Sequence, residues 1–288
     1  MRNEKWKDFR LYAITGENYH PGRQMIPVME AALQGGADIV QLRAKNAPKR
    51  EVLAKAYALR ELTLRYNVPL IINDHIDVAL AVEADGVHLG QDDLPLAEAR
   101  RIVGPDRLIG ISTHNIGQAL AAQAGGADYI GVGPVYPTGT KPGRTAVTTS
   151  YVTEAASQIS IPFVAIGGIT PNNVDEVLRA GARRICAVSA IVGSDDPAAA
   201  CRQLLARIAA ADQQPKEGGS SQAVTIRVNG REERTHAAHV QALIEQLGLG
   251  GKRIVVELNG VIVVRHMWTQ TPIAEGATLE IVHFVGGG

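Results

Sequence analysis

Eight short apolar segments recur along the first part of the chain, and stretches with helical periodicity lie between them. The apolar segments are 11–14, 39–42, 69–72, 86–89, 108–111, 129–132, 163–166 and 185–188. The intervening segments, such as 50–66, 96–103 and 173–180, are rich in Ala and Leu. A strand–helix unit repeated eight times within about 200 residues predicts an α/β fold, a closed parallel (β/α)8 barrel.

The texture of the sequence changes after this repeat. Residues 209–222 combine Pro, Gly, Ser and polar side chains without periodicity, which predicts a flexible linker between a first domain at 1–208 and a second at 223–288. The second domain has alternating segments, two Asn-Gly turns and one short amphipathic segment. The predicted strands are 224–228, 254–258, 261–264 and 278–285, and the predicted helix is 240–247; strands on both sides of one helix are typical of a small α+β domain.

The net charge and the cysteine content limit the classes of protein to which this chain could belong. The formal net charge is +0, which gives no indication of a nucleic-acid partner. Cys186 and Cys201 have no neighbour at metal-ligand spacing, so we expect buried, reduced thiols. Residues 1–8 lack an apolar core, and no apolar stretch reaches about 20 residues. We therefore expect a cytoplasmic protein with neither a signal peptide nor a membrane span.

Polar side chains stand at or shortly after the ends of the second, third and fourth apolar segments. Gln41, Arg43 and Lys45 alternate, so they face the same way in an extended strand. Burying both cations without an anion would be costly. Asp74 and Asp93 follow the next two segments, where carboxylates could share a Mg²⁺ ion that bridges to a phosphate. The alternative is that each aspartate caps the helix that follows it.

The later strand ends offer groups suited to binding phosphate. Ser112 follows the fifth segment, and a loop of Gly, Pro and Thr after the sixth ends at Lys141. Gly168 and Ser189 follow the seventh and eighth, where barrels of this kind usually bind phosphate. With no Ser–His–Asp arrangement, the set favours catalysis by stabilising a departing diphosphate. The acid–base candidates are His75, His88 and His114, but each is isolated in sequence, and we interpret each of them as structural.

In combination these motifs resemble thiamine phosphate synthase over residues 9–207. The matching stretches are 41–45, 72–74, 84–93, 111–114, 131–141 and 165–169. The resemblance implies a TIM barrel that joins hydroxymethylpyrimidine diphosphate to thiazole phosphate, giving thiamine phosphate and pyrophosphate. In that family diphosphate departs first, and the thiazole nitrogen then attacks the pyrimidine methyl cation that remains.

The same resemblance implies a role for each matching residue. The diphosphate would be held by Arg43, Lys45, Asn73 and Lys141. The Mg²⁺ ligands would be Asp74 and Asp93. The pyrimidine would lie beside Gln41 and Ser112. The thiazole phosphate side would be lined by Thr138, Thr140, Gly168, Val188 and Ser189. The residues expected to contribute most to catalysis are Arg43, Lys45, Ser112 and Lys141.

Two other interpretations of the barrel remain open. A related thiazole tautomerase typically has a histidine in the loop after the sixth strand, where this chain has Pro134. An inactive barrel that only supports the second domain would have no reason to keep so many costly charges. One departure from the synthase pattern is Ala44, where the family usually has Glu. In an extended strand its side chain points away from those of Arg43 and Lys45, so this departure has little effect on the predicted diphosphate site.

Residues 223–288 resemble the sulfur carrier of thiamine thiazole synthesis, a ubiquitin-like β-grasp domain. The matching stretches are 228–230, 256–260 and 284–288. A molybdopterin-type sulfur carrier also ends in Gly-Gly, and the thiamine-type barrel upstream favours the thiamine pathway. The resemblance implies an adenylating sulfur-transfer enzyme and a thiazole synthase as partners. It also implies a tail of Gly287 and Gly288 that carries sulfur as a thiocarboxylate.

Overall fold

The computed structural model describes residues 4–138, 146–213, 224–249, 252, 254–268 and 271–283. The chain divides into two compact units after Gln213. Within the described residues, no helix has the length and apolar character needed to cross a membrane.

The first unit is a closed barrel of parallel strands, as the alternating pattern predicts. In its described residues the strands are β1 Leu11–Ile14, β2 Ile39–Leu42, β3 Leu70–Asn73, β4 Gly86–Leu89, β5 Leu108–Thr113, β6 Tyr129–Val132, β7 Phe163–Ile166 and β8 Ile185–Ala187. Each strand pairs with the next, and β8 pairs with β1 to close the barrel. The predicted (β/α)8 barrel is confirmed.

Helices separate the strands and cover the barrel. They are α1 Met25–Gln34, α2 Lys49–Tyr66, α3 Ile76–Ala81, α4 Leu96–Val103, α5 Ile116–Ala124, α6 Thr148–Gln158, α7 Val174–Arg179, α8 Ser189–Val192 and α9 Pro197–Gln213. Short 3₁₀ turns occur at Glu4–Lys7 and Glu17–Tyr19. Side chains of both layers form one continuous apolar core.

A repeated sequence links helix ends to strand starts. Gly36, Gly126 and Gly181 each lie just beyond a helix with φ of 99°, 85° and 105°, a left-handed conformation that glycine adopts without strain. In the first two copies an aspartate follows. The Asp38 carboxylate accepts from the backbone N–H of Leu11, and the Asp128 carboxylate accepts from that of Ile109. These bonds fix the start of each strand against its neighbour.

The second unit is a small mixed sheet with one helix. Its described elements are β9 Val224–Val228, β10 Arg231–Thr235, α10 Val240–Gln246, β11 Ile254–Leu258, β12 Val261–Val263 and β13 Thr278–His283, with a 3₁₀ turn at Arg265–Met267. The strand order is β10-β9-β13-β11-β12. Both predicted Asn-Gly turns are present, with positive φ at each Asn and Gly. The helix packs into a separate core that includes Leu243, Val256, Trp268 and Leu279.

The predicted linker starts too early. Helix α9 continues through Gln213, five residues into the stretch predicted to be flexible. Its last turns contain Ala209, Ala210 and Ala211, and alanine is the strongest helix former. An ion pair between Arg183 Nε and Asp212 Oδ1, at 3.3 Å, ties this end to the barrel. The rest of the predicted linker, 214–222, lies outside the described residues.

Candidate functional site

A cleft opens where the carboxyl ends of the barrel strands meet. Its empty space, counted together with the open solvent at its mouth, is about 750 Å³. Six of the residues predicted from the sequence line this cleft: Gln41, Ser112, Thr138, Gly168, Val188 and Ser189. Their side chains and backbones come from β2, β5, the start of α8 and the loops after β6 and β7, so the barrel brings together residues far apart in sequence.

Opposite charges cluster beside this cleft, after β2, β3 and β4. Lys45 Nζ lies 3.0 Å from Asp74 Oδ2. The pKa of Asp74 is raised, first by burial and then by its contact with the Asp93 carboxyl, while Lys45 acts in the opposite direction. The backbone N–H of Gly90 donates to Asp93 Oδ2 at 2.7 Å and holds that carboxylate in place. The two carboxylates are therefore in contact, and one of them, Asp74, is also paired with the Lys45 ammonium group.

The capping interpretation of these aspartates is wrong. The residue that precedes α3 in the cap position is His75, and that of α4 is Pro95. Neither helix has a side-chain cap hydrogen bond. Asp74 instead adopts a φ of 61°, a conformation that non-glycine residues rarely adopt. Paired hard oxygen ligands of this kind suit a divalent cation such as Mg²⁺.

Arg43 and Asn73 complete the polar side of the site. Burial lowers the pKa of the Arg43 guanidinium, and the charge of Asp74 opposes that shift. Thr15 fixes the Arg43 backbone, because its hydroxyl accepts from Arg43 N at 2.8 Å and donates to Arg43 O at 3.2 Å. Asn73 is buried at the last position of β3.

The loops after β6 and β7 pack closely against each other. Gly167 and Gly168 have φ of 104° and 65°, and a Cβ on Gly168 would lie 2.8 Å from the carbonyl oxygen of Pro137. Glycine is therefore required for the two loops to approach. This packing places Thr138 at the cleft. Thr140 and Lys141, both predicted ligands of the substrates, lie outside the described residues, as do Gly287 and Gly288 of the tail.

Polar side chains inside the barrel are the main feature that the sequence did not indicate. Tyr12, Gln41, Tyr129, His88 and Ser112 form a continuous hydrogen-bonded series. Of the three histidines, His88 belongs to this series and lines the cleft, and His114 also lines the cleft. The only available signal was a tyrosine or histidine within an otherwise apolar strand. His75, in contrast, occupies the cap position of α3.

Comparisons with known proteins agree for both units. The thiamine monophosphate synthase family model matches residues 11–191, and the ThiS family model matches residues 223–288. The chain is 61% identical to the thiamine-phosphate synthase of Halalkalibacterium halodurans over 196 residues, which cover 68% of this chain and 93% of that protein. It is 56% identical to the thiamine-phosphate synthase of Shouchella clausii over 208 residues, which cover 72% of this chain and 100% of that protein.

A solved structure gives the same result. Thiamine phosphate pyrophosphorylase from Pyrococcus furiosus is similar to this chain with a TM-score of 0.65 and 37% sequence identity. The match covers 71% of this chain and 98% of that structure. The similarity therefore spans the barrel of this chain and nearly all of the solved protein.

Proposed function

The chain belongs to the thiamine monophosphate synthase family, and a ThiS family domain follows its barrel. We propose a function for each of these two parts. The barrel is a thiamine phosphate synthase. We propose that it couples hydroxymethylpyrimidine diphosphate with thiazole phosphate in the cleft and releases pyrophosphate. The observation that supports this most is the contact of Lys45, Asp74 and Asp93 beside a cleft that contains Gln41 and Ser112.

The charged cluster would hold the diphosphate of the first substrate. Arg43, Lys45 and Asn73 would donate hydrogen bonds to its oxygens, and the positive charges of Arg43 and Lys45 would stabilise the leaving group as its negative charge develops. Asp74 and Asp93 would hold Mg²⁺, and the ion would neutralise diphosphate charge when bound. Among the described residues, no group of three or more His, Cys, Asp or Glu side chains could hold a metal. Phosphate oxygens and water would complete its coordination.

The cleft would position the two organic parts for bond formation. Gln41 and Ser112 would bind the pyrimidine ring on one side. On the other, Thr138, Thr140, Gly168, Val188 and Ser189 would hold the phosphate of the thiazole. Two substrates held next to each other convert an encounter in solution into a step within one complex, which accounts for much of the rate that enzymes achieve.

We also propose that the ThiS family domain carries sulfur for thiazole formation. An adenylating enzyme would activate the Gly288 carboxylate, which would then become a thiocarboxylate and deliver sulfur to a thiazole synthase. Glycine suits this role because it has no side chain to obstruct an extended tail in a narrow channel. One chain would thereby contain a protein that supplies sulfur for the thiazole and an enzyme that uses the thiazole.

Lys141 offers a test of the site assignment in the barrel. We expect Lys141→Ala to lower turnover strongly and Lys141→Arg to restore it only in part. Both cations carry a charge, but lysine is a compact ammonium on a flexible stem, whereas arginine is a wider planar group. Thiamine phosphate formation by the three proteins, measured at saturating substrates, checks this order. Equal rates for all three would show that the loop after β6 does not bind the leaving group.

A further inference from the structure

Five polar side chains form a hydrogen-bonded series across the interior of the barrel. Gln41 Nε2 donates to the Tyr12 hydroxyl at 2.8 Å, and the hydroxyls of Tyr12 and Tyr129 are 3.0 Å apart. The Tyr129 hydroxyl lies 3.1 Å from His88 Nδ1, and His88 Nε2 lies 2.9 Å from Ser112 Oγ. The series starts and ends at residues that line the cleft.

The protons available to these side chains determine which atom donates and which accepts in each bond of the series. Tyr12 accepts from Gln41, and its only other hydrogen-bond partner among the described residues is the Tyr129 hydroxyl, so we assign the Tyr12 proton to the bond with Tyr129. Tyr129 then donates its proton to His88 Nδ1, which must be the unprotonated nitrogen. The proton of a neutral His88 therefore sits on Nε2 and is donated to Ser112 Oγ. Because Oγ accepts in this bond, the Ser112 hydroxyl proton is left to point into the cleft.

Both tyrosines are suited to this role because they keep their protons. Tyr12 and Tyr129 are completely buried within the barrel, with exposed fractions of 1% and 0%. Burial raises the pKa of each hydroxyl above its ordinary value. Their rings also pack against each other and against Phe9, which limits their movement. Each hydroxyl is therefore one donor and one acceptor in a fixed position.

We propose that Tyr129 is a positioning residue for ligand recognition. By fixing the proton of His88 on Nε2, it makes Ser112 a hydrogen-bond donor toward the cleft. At the other end, an amide that donates through Nε2 presents its oxygen, Oε1, as an acceptor at Gln41. This inference rests on the proposed binding of the pyrimidine between Gln41 and Ser112.

The resulting pattern matches one arrangement of ligand atoms. A donor at Ser112 recognises a ring nitrogen, and an acceptor at Gln41 recognises an exocyclic amine. An aminopyrimidine has these two groups next to each other. An analogue with a carbonyl in place of the amine reverses both hydrogen-bonding roles, because its oxygen accepts and its neighbouring ring nitrogen carries a proton and donates. Binding such an analogue would leave buried polar groups of the site without hydrogen-bond partners, and sites of this kind reject such ligands strongly.

The experiment combines NMR with substrate competition. Long-range ¹H–¹⁵N spectra of the full chain, with His88 assigned from the loss of its signals in His88→Asn, report which ring nitrogen carries the proton. Coupling assays with the aminopyrimidine diphosphate and its carbonyl analogue in competition give the selectivity of the site. Both measurements are made on the unchanged protein, on Tyr129→Phe and on Tyr151→Phe. Tyr151 is a matched control, because it is a buried tyrosine whose hydroxyl bonds Thr113 outside this series.

We expect the unchanged protein to hold its His88 proton on Nε2. In Tyr129→Phe the proton should distribute between both nitrogens, and selectivity for the amine should fall by about tenfold, through a raised KM for the pyrimidine substrate with less effect on kcat. Tyr151→Phe should leave both readouts unchanged. A His88 proton on Nδ1 in the unchanged protein would overturn the proposal, since the series would then run in the opposite direction. Unaltered selectivity in Tyr129→Phe would overturn it equally.

A separate measurement tests whether the pyrimidine binds between Gln41 and Ser112. Ser112→Ala should raise the KM for the pyrimidine substrate, and an unchanged KM would show that the ring binds elsewhere. The NMR measurement on the unchanged protein needs no substrate. It therefore tests the direction of the series whichever residues bind the pyrimidine.

Discussion

Replacing Asp93 with asparagine is expected to lower the coupling rate by about 10²–10³-fold, the usual cost of losing an electrostatic contact that strengthens in the transition state. Asparagine keeps a carbonyl oxygen that can accept from the Gly90 N–H, so the loop should keep its shape. What is lost is the negative charge that faces Asp74 and that would hold Mg²⁺. Folding should survive, because the site lies at the end of the barrel and outside its apolar core.

The neighbouring aspartate provides a matched control. Asp92→Asn makes the same change one residue away, at an exposed position, and should leave the rate within about twofold, as most surface substitutions do. Initial rates of thiamine phosphate formation should be measured across a range of Mg²⁺ concentrations. We expect Asp93→Asn to need more Mg²⁺ and to stay slow at saturation. Normal turnover in Asp93→Asn would remove this carboxylate from the site.

Adding one tryptophan after Gly288 is expected to abolish thiocarboxylate formation. The reacting carboxylate would then sit on a bulky residue in place of glycine, and a narrow channel in the adenylating enzyme would no longer accept the tail. Intact-mass spectrometry, after incubation with the adenylating enzyme and a sulfur donor, detects replacement of an oxygen by sulfur at the terminus. The coupling rate of the barrel should not change, because its predicted ligands all lie in the first unit.

The same side chain placed elsewhere tests whether the position matters. Ser220→Trp introduces tryptophan into the predicted linker and should leave both sulfur transfer and coupling intact. Sulfur gained by the extended chain would show that the tail is not the sulfur acceptor. Loss of coupling in the extended chain would show that the tail reaches the barrel site, contrary to a flexible tether between independent units.

The strands of the barrel were largely predictable because each is a short apolar run between helices. Five of the eight predicted segments have the observed bounds, and β3 is displaced by one residue, to Leu70–Asn73. Asn73 lies just outside the predicted apolar segment 69–72, yet it pairs with His88 on β4. A polar residue such as Asn73 can belong to a parallel strand because its backbone N–H and C=O groups form the same ladder hydrogen bonds as those of an apolar residue.

The site was predictable where function depends on local sequence. Asp74 and Asp93 each follow a strand, so their meeting at one end of the barrel follows from the order of parallel strands. The series from Gln41 to Ser112 was not predictable in this way. It joins β1, β2, β4, β5 and β6 across the barrel interior, and its contacts depend on which side chains point inward at each level. Short strands buried on both faces give no periodicity from which to infer that direction.

We propose that the cleft of the barrel joins a pyrimidine to thiazole phosphate. The most direct measurement is product analysis of the purified full chain with Mg²⁺, hydroxymethylpyrimidine diphosphate and thiazole phosphate, each omitted in turn. We expect thiamine phosphate and pyrophosphate in equal amounts, only when both substrates and Mg²⁺ are present. A chain that isomerises a thiazole substrate without forming thiamine phosphate, or that forms no product from the complete mixture, would show that the barrel is not a coupling enzyme.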